Sequence, residues 1–330
     1  QNADIPIVQS LTILETQMKK GLLKSAVGEI IADIKGGDTL SIAMSKHPKV
    51  FDKLYVNIIN AGEISGTLDT ILERLATYRE KMQKLKRKII SAMMYPTTVI
   101  LASGAILTAI MMFIIPRFAT MFQEMGVPLP WLTAGLISVS NFLFIHWYSI
   151  FGIPVAVFII FKSIGKIDKC RLVIDRLKFK IPIFGKLINK SVVSKFARTL
   201  ATLISSGVPI LEALNNVRNI TGNLAMSKAV NRIHDSIREG ESIAKPLRES
   251  KICEPMVVNM VEIGEQTGEL DKMLTKIAEN YDNDIDSLVE SLTSMLEPII
   301  VIFLGISVGT IVIALFLPLI KLMNSLGGGI

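Results

Sequence analysis

Apolar positions along the chain fall into two regimes. In the first, apolar residues recur every three or four positions among charged ones, the spacing of amphipathic helices. Phe196, Leu200, Leu203 and Ile204 follow this spacing, and Ser206-Gly207-Val208-Pro209 reads as a stop and restart with proline in the first turn. Asn223 to Glu239 predicts a helix ended by Gly240, Ser242 to Glu249 a short one, and Glu254 to Ile263 a third. Period-two alternation bounded by turn residues is not found outside the apolar stretches, so each polar block predicts a small helical bundle.

The second regime is continuous apolarity. Ile89 to Pro116 holds no Asp, Glu, Lys or Arg, and neither does the stretch between Glu124 and Lys162 or that from Pro298 to Ile320. Each exceeds the ~20 apolar residues needed to cross a ~30 Å hydrocarbon core. The middle stretch is too long for one simple span and contains His146, so its crossing is placed at 142–161, after an interfacial segment. The expected fold class is an all-α polytopic membrane protein with two homologous cytoplasmic helical-bundle domains and three transmembrane helices. The expected boundaries are 1–88 for the first cytoplasmic domain, 89–116 for span 1, 117–141 for a periplasmic or interfacial loop, and 142–161 for span 2. A basic linker and second cytoplasmic domain follow at 162–297, then span 3 at 298–320 and a short periplasmic tail at 321–330.

The two polar blocks carry the same pattern. Asp4-Ile5-Pro6-Ile7 returns as Gly207-Val208-Pro209-Ile210, and Gly62-Glu63-Ile64-Ser65-Gly66-Thr67-Leu68-Asp69 as Gly264-Glu265-Gln266-Thr267-Gly268-Glu269-Leu270-Asp271. Pro96 and Pro298, like Pro116 and Pro318, stand 202 positions apart. A repeat of this length is two units of one design rather than a short-period solenoid. Phe196 to Ser206 has no counterpart before Ala3, so further residues are expected upstream of Gln1, or a trimmed first copy.

Charge adds orientation. Lys81, Lys84, Lys86, Arg87 and Lys88 precede the first span, and Lys162, Lys166, Lys169, Arg171, Arg176, Lys178 and Lys180 follow the second, whereas Arg117 stands alone between Pro116 and Phe142. Positive flanks are retained in the cytoplasm, so both polar blocks are expected there. Two like-oriented copies, each ending in an outward span, need one further crossing to return the chain, which accounts for three. The net charge of +7 is concentrated where anionic lipid headgroups would be met, so lipid rather than nucleic acid is the expected partner of that charge. Half the residues are apolar and the mean hydropathy is +0.48, which excludes an ordinary soluble-enzyme composition. Cys170 and Cys253 have no close partner in sequence and read as reduced thiols. No stretch reads as a cleavable signal peptide.

Catalytic motifs are not found: the chain has no phosphate-binding glycine loop, no His-Glu-x-x-His and no Gly-x-Ser-x-Gly, and its histidines, His47, His146 and His234, are scattered. Neither an enzyme, a metal site nor a cofactor is expected. The sharpest polar signals are the two glycine–glutamate segments. Gly62 and Gly264 suit the end of a helix, and Gly66 and Gly268 the opening of the next, whose first turn holds Asp69 or Asp271. Gly62, Glu63, Gly66, Gly264, Glu265 and Gly268 are therefore candidate structural corners or partner contacts. A metal reading of Glu63 and Glu265 has little behind it, since one carboxylate per turn is far from a calcium loop. Asp282, Asp284 and Asp286 read as a solvated helix face. Pro96 and Pro298 are expected to bend their helices, and Gly305 with Gly309 gives a small-residue face for membrane helix packing.

Ile181-Pro182-Ile183-Phe184-Gly185-Lys186-Leu187, Phe196 to Leu203 leading into Ser206-Gly207-Val208-Pro209-Ile210, Ser242 to Leu247, Gly264 to Asp271, and Glu297-Pro298 together resemble one family. It is the inner-membrane platform proteins of type IV pilus and type II secretion machines. Tyr95 departs from the pattern, standing where the second copy has Glu297. The resemblance implies a multi-pass protein of the bacterial inner membrane that forms a homo-oligomer and contacts a hexameric assembly ATPase on the cytoplasmic side. It also implies contact with pilin or pseudopilin and with other inner-membrane assembly components. The implied role is a platform for filament assembly, or in the same family a secretion platform. A transporter is disfavoured by parallel repeats, by only three spans and by the lack of buried charge at the midplane.

Overall fold

The computed structural model of the chain describes residues 6–124, 129–146, 148, 152, 159–160, 168–181 and 184–327. Among these residues there are helices and turns but no strand. They divide into two compact units, Gln1–Arg87 with Leu172–Ser287, and Lys88–Arg171 with Leu288–Ile330.

The first unit contains two series of helices. One consists of α1 (Ile7–Gln17), α2 (Leu22–Lys35), α3 (Leu40–Ser45), α4 (Lys53–Ser65) and the start of α5 (Leu68–Ala109). The other follows α8 (Asp168–Lys180) and α9 (Phe184–Ser205), and consists of α10 (Ile210–Ile220), α11 (Leu224–Arg238), α12 (Ala244–Ser250), α13 (Pro255–Thr267) and the start of α14 (Leu270–Gly327). The first four helices of the series have 11, 14, 6 and 13 residues in one and 11, 15, 7 and 13 in the other.

Local chemistry sets these boundaries. Asp52 caps α4 by accepting from Leu54 N and Tyr55 N, and Asn223 caps α11 by accepting from Ala225 N and Met226 N. Pro255 opens α13, where its missing N–H costs nothing, and Gly240 follows α11 at φ 80°. Apolar faces from both series meet in one core, in which Ile58, Phe196, Leu214, Ile233 and Leu247 are at most 1 % exposed. Tyr78 on α5 joins this core and shares a 3.1 Å hydrogen bond with Thr199 on α9.

The second unit contains the remainder of α5, a π-helical turn (Ile110–Ile114), α6 (Ile115–Glu124), α7 (Trp131–Ile145) and the remainder of α14. Two continuous helical runs, Leu68–Glu124 and Leu270–Ile320, are long and apolar enough to cross a membrane; α7 is a shorter apolar helix. Within 117–141, expected as a loop, lie most of α6 and the first part of α7. The crossing expected at 142–161 falls largely outside the described residues. Pro96 and Pro298 remain inside unbroken helices. The apolar surface here is turned outward: Leu101 is 67 % exposed and Phe303 63 %. That is the reverse of the first unit, and is the arrangement a lipid solvent stabilises.

Candidate functional site: paired glycine–glutamate corners

Helix α4 runs through Gly62, expected to close it, and ends at Gly66, expected to open the next helix; Gly66 takes the left-handed conformation at φ 69°, and Thr67 N donates back to Gly62 O at 3.0 Å. Few residues other than glycine take that φ without strain, so the sequence fixes the corner there. Gly62 is buried, and a Cβ on it would lie 3.0 Å from Ile71 Cβ; its bare backbone lets α5 fold tightly against α4. One turn of helix therefore aims Glu63 at the start of α3. Its Oε1 accepts from Leu40 N at 2.6 Å, and its Oε2 from Ser41 N at 3.1 Å and Ser41 Oγ at 2.5 Å. The first-turn N–H groups of a helix have no partner within it and carry the positive end of the helix dipole, so a carboxylate satisfies both needs.

The second corner repeats the geometry. Gly268 sits at φ 74°, and a Cβ on buried Gly264 would lie 3.0 Å from both Leu270 Cα and Met273 Cγ. Glu265 uses both oxygens on one donor, Ile243 N, at 2.9 and 3.1 Å. Ser242 Oγ accepts from Ala244 N at 3.1 Å and Lys245 N at 3.4 Å, taking the donors that Glu265 leaves. Outside each corner the surface is open; Ile64 is 80 % exposed.

A second polar cluster ties α9 to α14. Asp282 pairs with Arg198, which is only 5 % exposed, and accepts from Ser194 Oγ at 2.8 Å. Lys190 Nζ lies 2.6 Å from Asp284, 3.2 Å from Glu254 and 4.5 Å above the Tyr281 ring. Burial opposes the Lys190 charge, but the hydrogen bonds it donates to Asp284 and Glu254 outweigh that and hold the ammonium above the usual lysine range. The expectation of a solvated face at Asp282 and Asp284 is corrected in part: both side chains keep some exposure, but both are engaged by α9. Their partners lie far back in sequence, where helical periodicity carries no signal. Beside them, burial and the Glu254 carboxylate push the Cys253 thiol up to about 12, which keeps it protonated and unreactive at neutral pH.

The histidines have separate surroundings: His47 faces Glu29 at 3.9 Å, His234 faces Asp235 at 3.4 Å, and His146 stacks on Phe142. Among the described residues no group of three or more His, Cys, Asp or Glu is placed to hold a metal ion. A Cβ added at Gly305 or Gly309 would meet no atom within 4 Å, so nothing described in the single chain packs against that face.

An all-helical protein with repeated corners and two long, outward-apolar helical runs is the class that the fold defines. A family model described as type II secretion system (T2SS), protein F, matches residues 1–116 and 196–318. The chain belongs to that family. It is 38 % identical over 327 residues to the type IV pilus assembly protein TapC of Aeromonas hydrophila, covering 99 % of this chain and 79 % of that protein. It is 40 % identical over 325 residues to the type IV pilus assembly protein PilC of Myxococcus xanthus, covering 98 % and 78 %. To the type II secretion system protein F of Vibrio cholerae it is 32 % identical over 322 residues, covering 97 % and 79 %.

Proposed function

We propose that this protein is the inner-membrane platform of a type IV pilus assembly machine, a non-enzymatic scaffold coupling a cytoplasmic assembly ATPase to insertion of pilin subunits into the filament. The observation that carries this reading is that identity over nearly the whole chain runs from 32 to 41 % for type IV pilus assembly proteins, against 29 to 32 % for type II secretion proteins. In this reading the chain is an internal duplication. Residues 1–88 and 162–297 form homologous cytoplasmic domains, and 89–116, 142–161 and 298–320 cross the bacterial inner membrane. The matching helix lengths and paired corners support the duplication, and the basic flanks support the orientation.

Glu63 and Glu265 brace the surface that the ATPase meets: both carboxylates are engaged on helix starts, and exposed neighbours such as Ile64 are left for contact. The bare face at Gly305 and Gly309 suits close packing of a second copy, consistent with a homo-oligomer. Lys81, Lys84, Lys86 and Arg87 suit anionic headgroups. A complemented in-frame deletion tests the reading, scored for sheared surface filaments and for exoproteins retained in the periplasm. Loss of filaments is the expected result. Retained exoproteins with intact filaments would make the protein a secretion platform instead, and altered solute uptake alone would overturn both.

A further inference from the structure

Four prolines stand in the two apolar helical runs, and one helix, α7, reaches the defects left by two of them, Pro116 and Pro318. Pro318 has no N–H to give to the carbonyl four residues back, that of Ala314. Thr133 Oγ1, on α7, donates to Ala314 O at 2.5 Å. Pro116 creates the corresponding defect at the other helical run. There Ile115 N bonds to Ile110 O across a π-helical turn, and the next bond in that register would run from residue 116 to Met111 O. Proline cannot make it, and Ser140 Oγ, also on α7, donates to Met111 O.

Burial makes these bonds consequential. Ala314 is 0 % exposed and Thr133 1 %, so water does not substitute for the Thr133 hydroxyl, and a buried carbonyl without a donor is costly; Ser140 is 0 % exposed and its acceptor residue Met111 is half-buried. An ordinary alternative was open to Ser140, since the carbonyl four residues before it lies within α7. Ser138, on the exposed side of the same helix, bonds back to its own Ala134 O at 2.9 Å, the usual habit of a helical serine. Thr133 and Ser140 instead reach across to the two proline-orphaned carbonyls. We propose that α7 is a clip: Thr133 and Ser140 are positioning residues that repair the defects left by Pro318 and Pro116, and so dock the apolar helices in one fixed register.

The test is a pair of mutant cycles on the full-length protein in detergent, read as the apparent melting temperature. Thr133→Val, which keeps the shape and removes the donor, should lower it by about 2–4 °C, while Thr133→Ser should stay close to the parent. Pro318→Ala restores an N–H for Ala314 O, so Thr133→Val in that background should lose less than half as much. Ser140→Ala should likewise lose less than half as much in a Pro116→Ala background as in the parent. If Thr133→Val does not fold, recovery of folded protein in the Thr133→Val, Pro318→Ala double variant supports the clip, and failure to recover sinks it. Equal losses in both backgrounds, or a Thr133→Ser loss matching that of Thr133→Val, would overturn it, since packing rather than the orphaned carbonyl would then explain Thr133.

Discussion

At the first corner Glu63 receives two backbone N–H bonds and a serine hydroxyl, whereas at the second Glu265 receives one N–H, because Ser242 caps the donors beyond it. The same glycine-closed turn thus delivers the same carboxylate to the same kind of helix start, with a different division of labour. The halves differ more where α9 is concerned. Asp282 on α14 grips a buried arginine of α9, while the residue 202 positions earlier, Glu80 on α5, is exposed. The long helix of the second series is a structural strut at this point, and that of the first is a surface.

The largest effect expected from this comparison is at the strut. Asp282→Ala leaves Arg198 buried without its carboxylate and should destabilise the protein by about 3 kcal/mol, whereas Glu80→Ala should stay within about 0.5 kcal/mol. Denaturant unfolding of the detergent-solubilised protein measures both. Equal costs would mean that the halves are braced alike and that the α9 pairing carries no weight.

The corners themselves should differ by less. Glu63→Ala strands the N–H groups of Leu40 and Ser41 and should cost about 2 kcal/mol; Glu265→Ala strands only that of Ile243 and should cost about 1 kcal/mol. The double variant Glu265→Ala, Ser242→Ala should bring the second corner up to the first, because it removes the serine that shares the capping. Hydrogen exchange at residues 40–42 and 243–245 locates the loss. Fast exchange throughout the first unit, rather than at these helix starts, would place the role of the glutamates in general packing.

What the sequence made legible is what short-range chemistry controls. A glycine-closed corner in each half, the Asn223 helix start, the Gly240 stop and the near-periodic helices all follow from residues within one or two turns of each other, although the glycine that closes each helix is the second of its pair, not the expected first. The glutamates could be placed at the corners, but not their targets: Glu63 reaches back to Ser41 and Glu265 to Ile243 across an intervening helix and turn, a separation no periodicity reports. The strut was misjudged for the same reason. Asp282 and Asp284 have the spacing of an exposed face and stay partly exposed, and only the packing of α9 gives them partners. The clip lay beyond sequence altogether, since Thr133 and Ala314 are 181 residues apart.

The smallest expected difference is between the two corner glycines, and it asks whether the turns are one design. Gly66 and Gly268 have φ of 69° and 74°, and a Cβ on either would meet no atom within 4 Å. Alanine at either position is therefore free of steric conflict with its surroundings, and its cost is the backbone penalty of the left-handed region, about 1 kcal/mol. Gly66→Ala and Gly268→Ala should lower stability equally, and asparagine, which tolerates this region better, should recover part of the loss at both. An unequal pair would show that one turn is held under strain by its neighbours. The first is the one to suspect, because Glu63 there binds the helix start through three bonds rather than one donor.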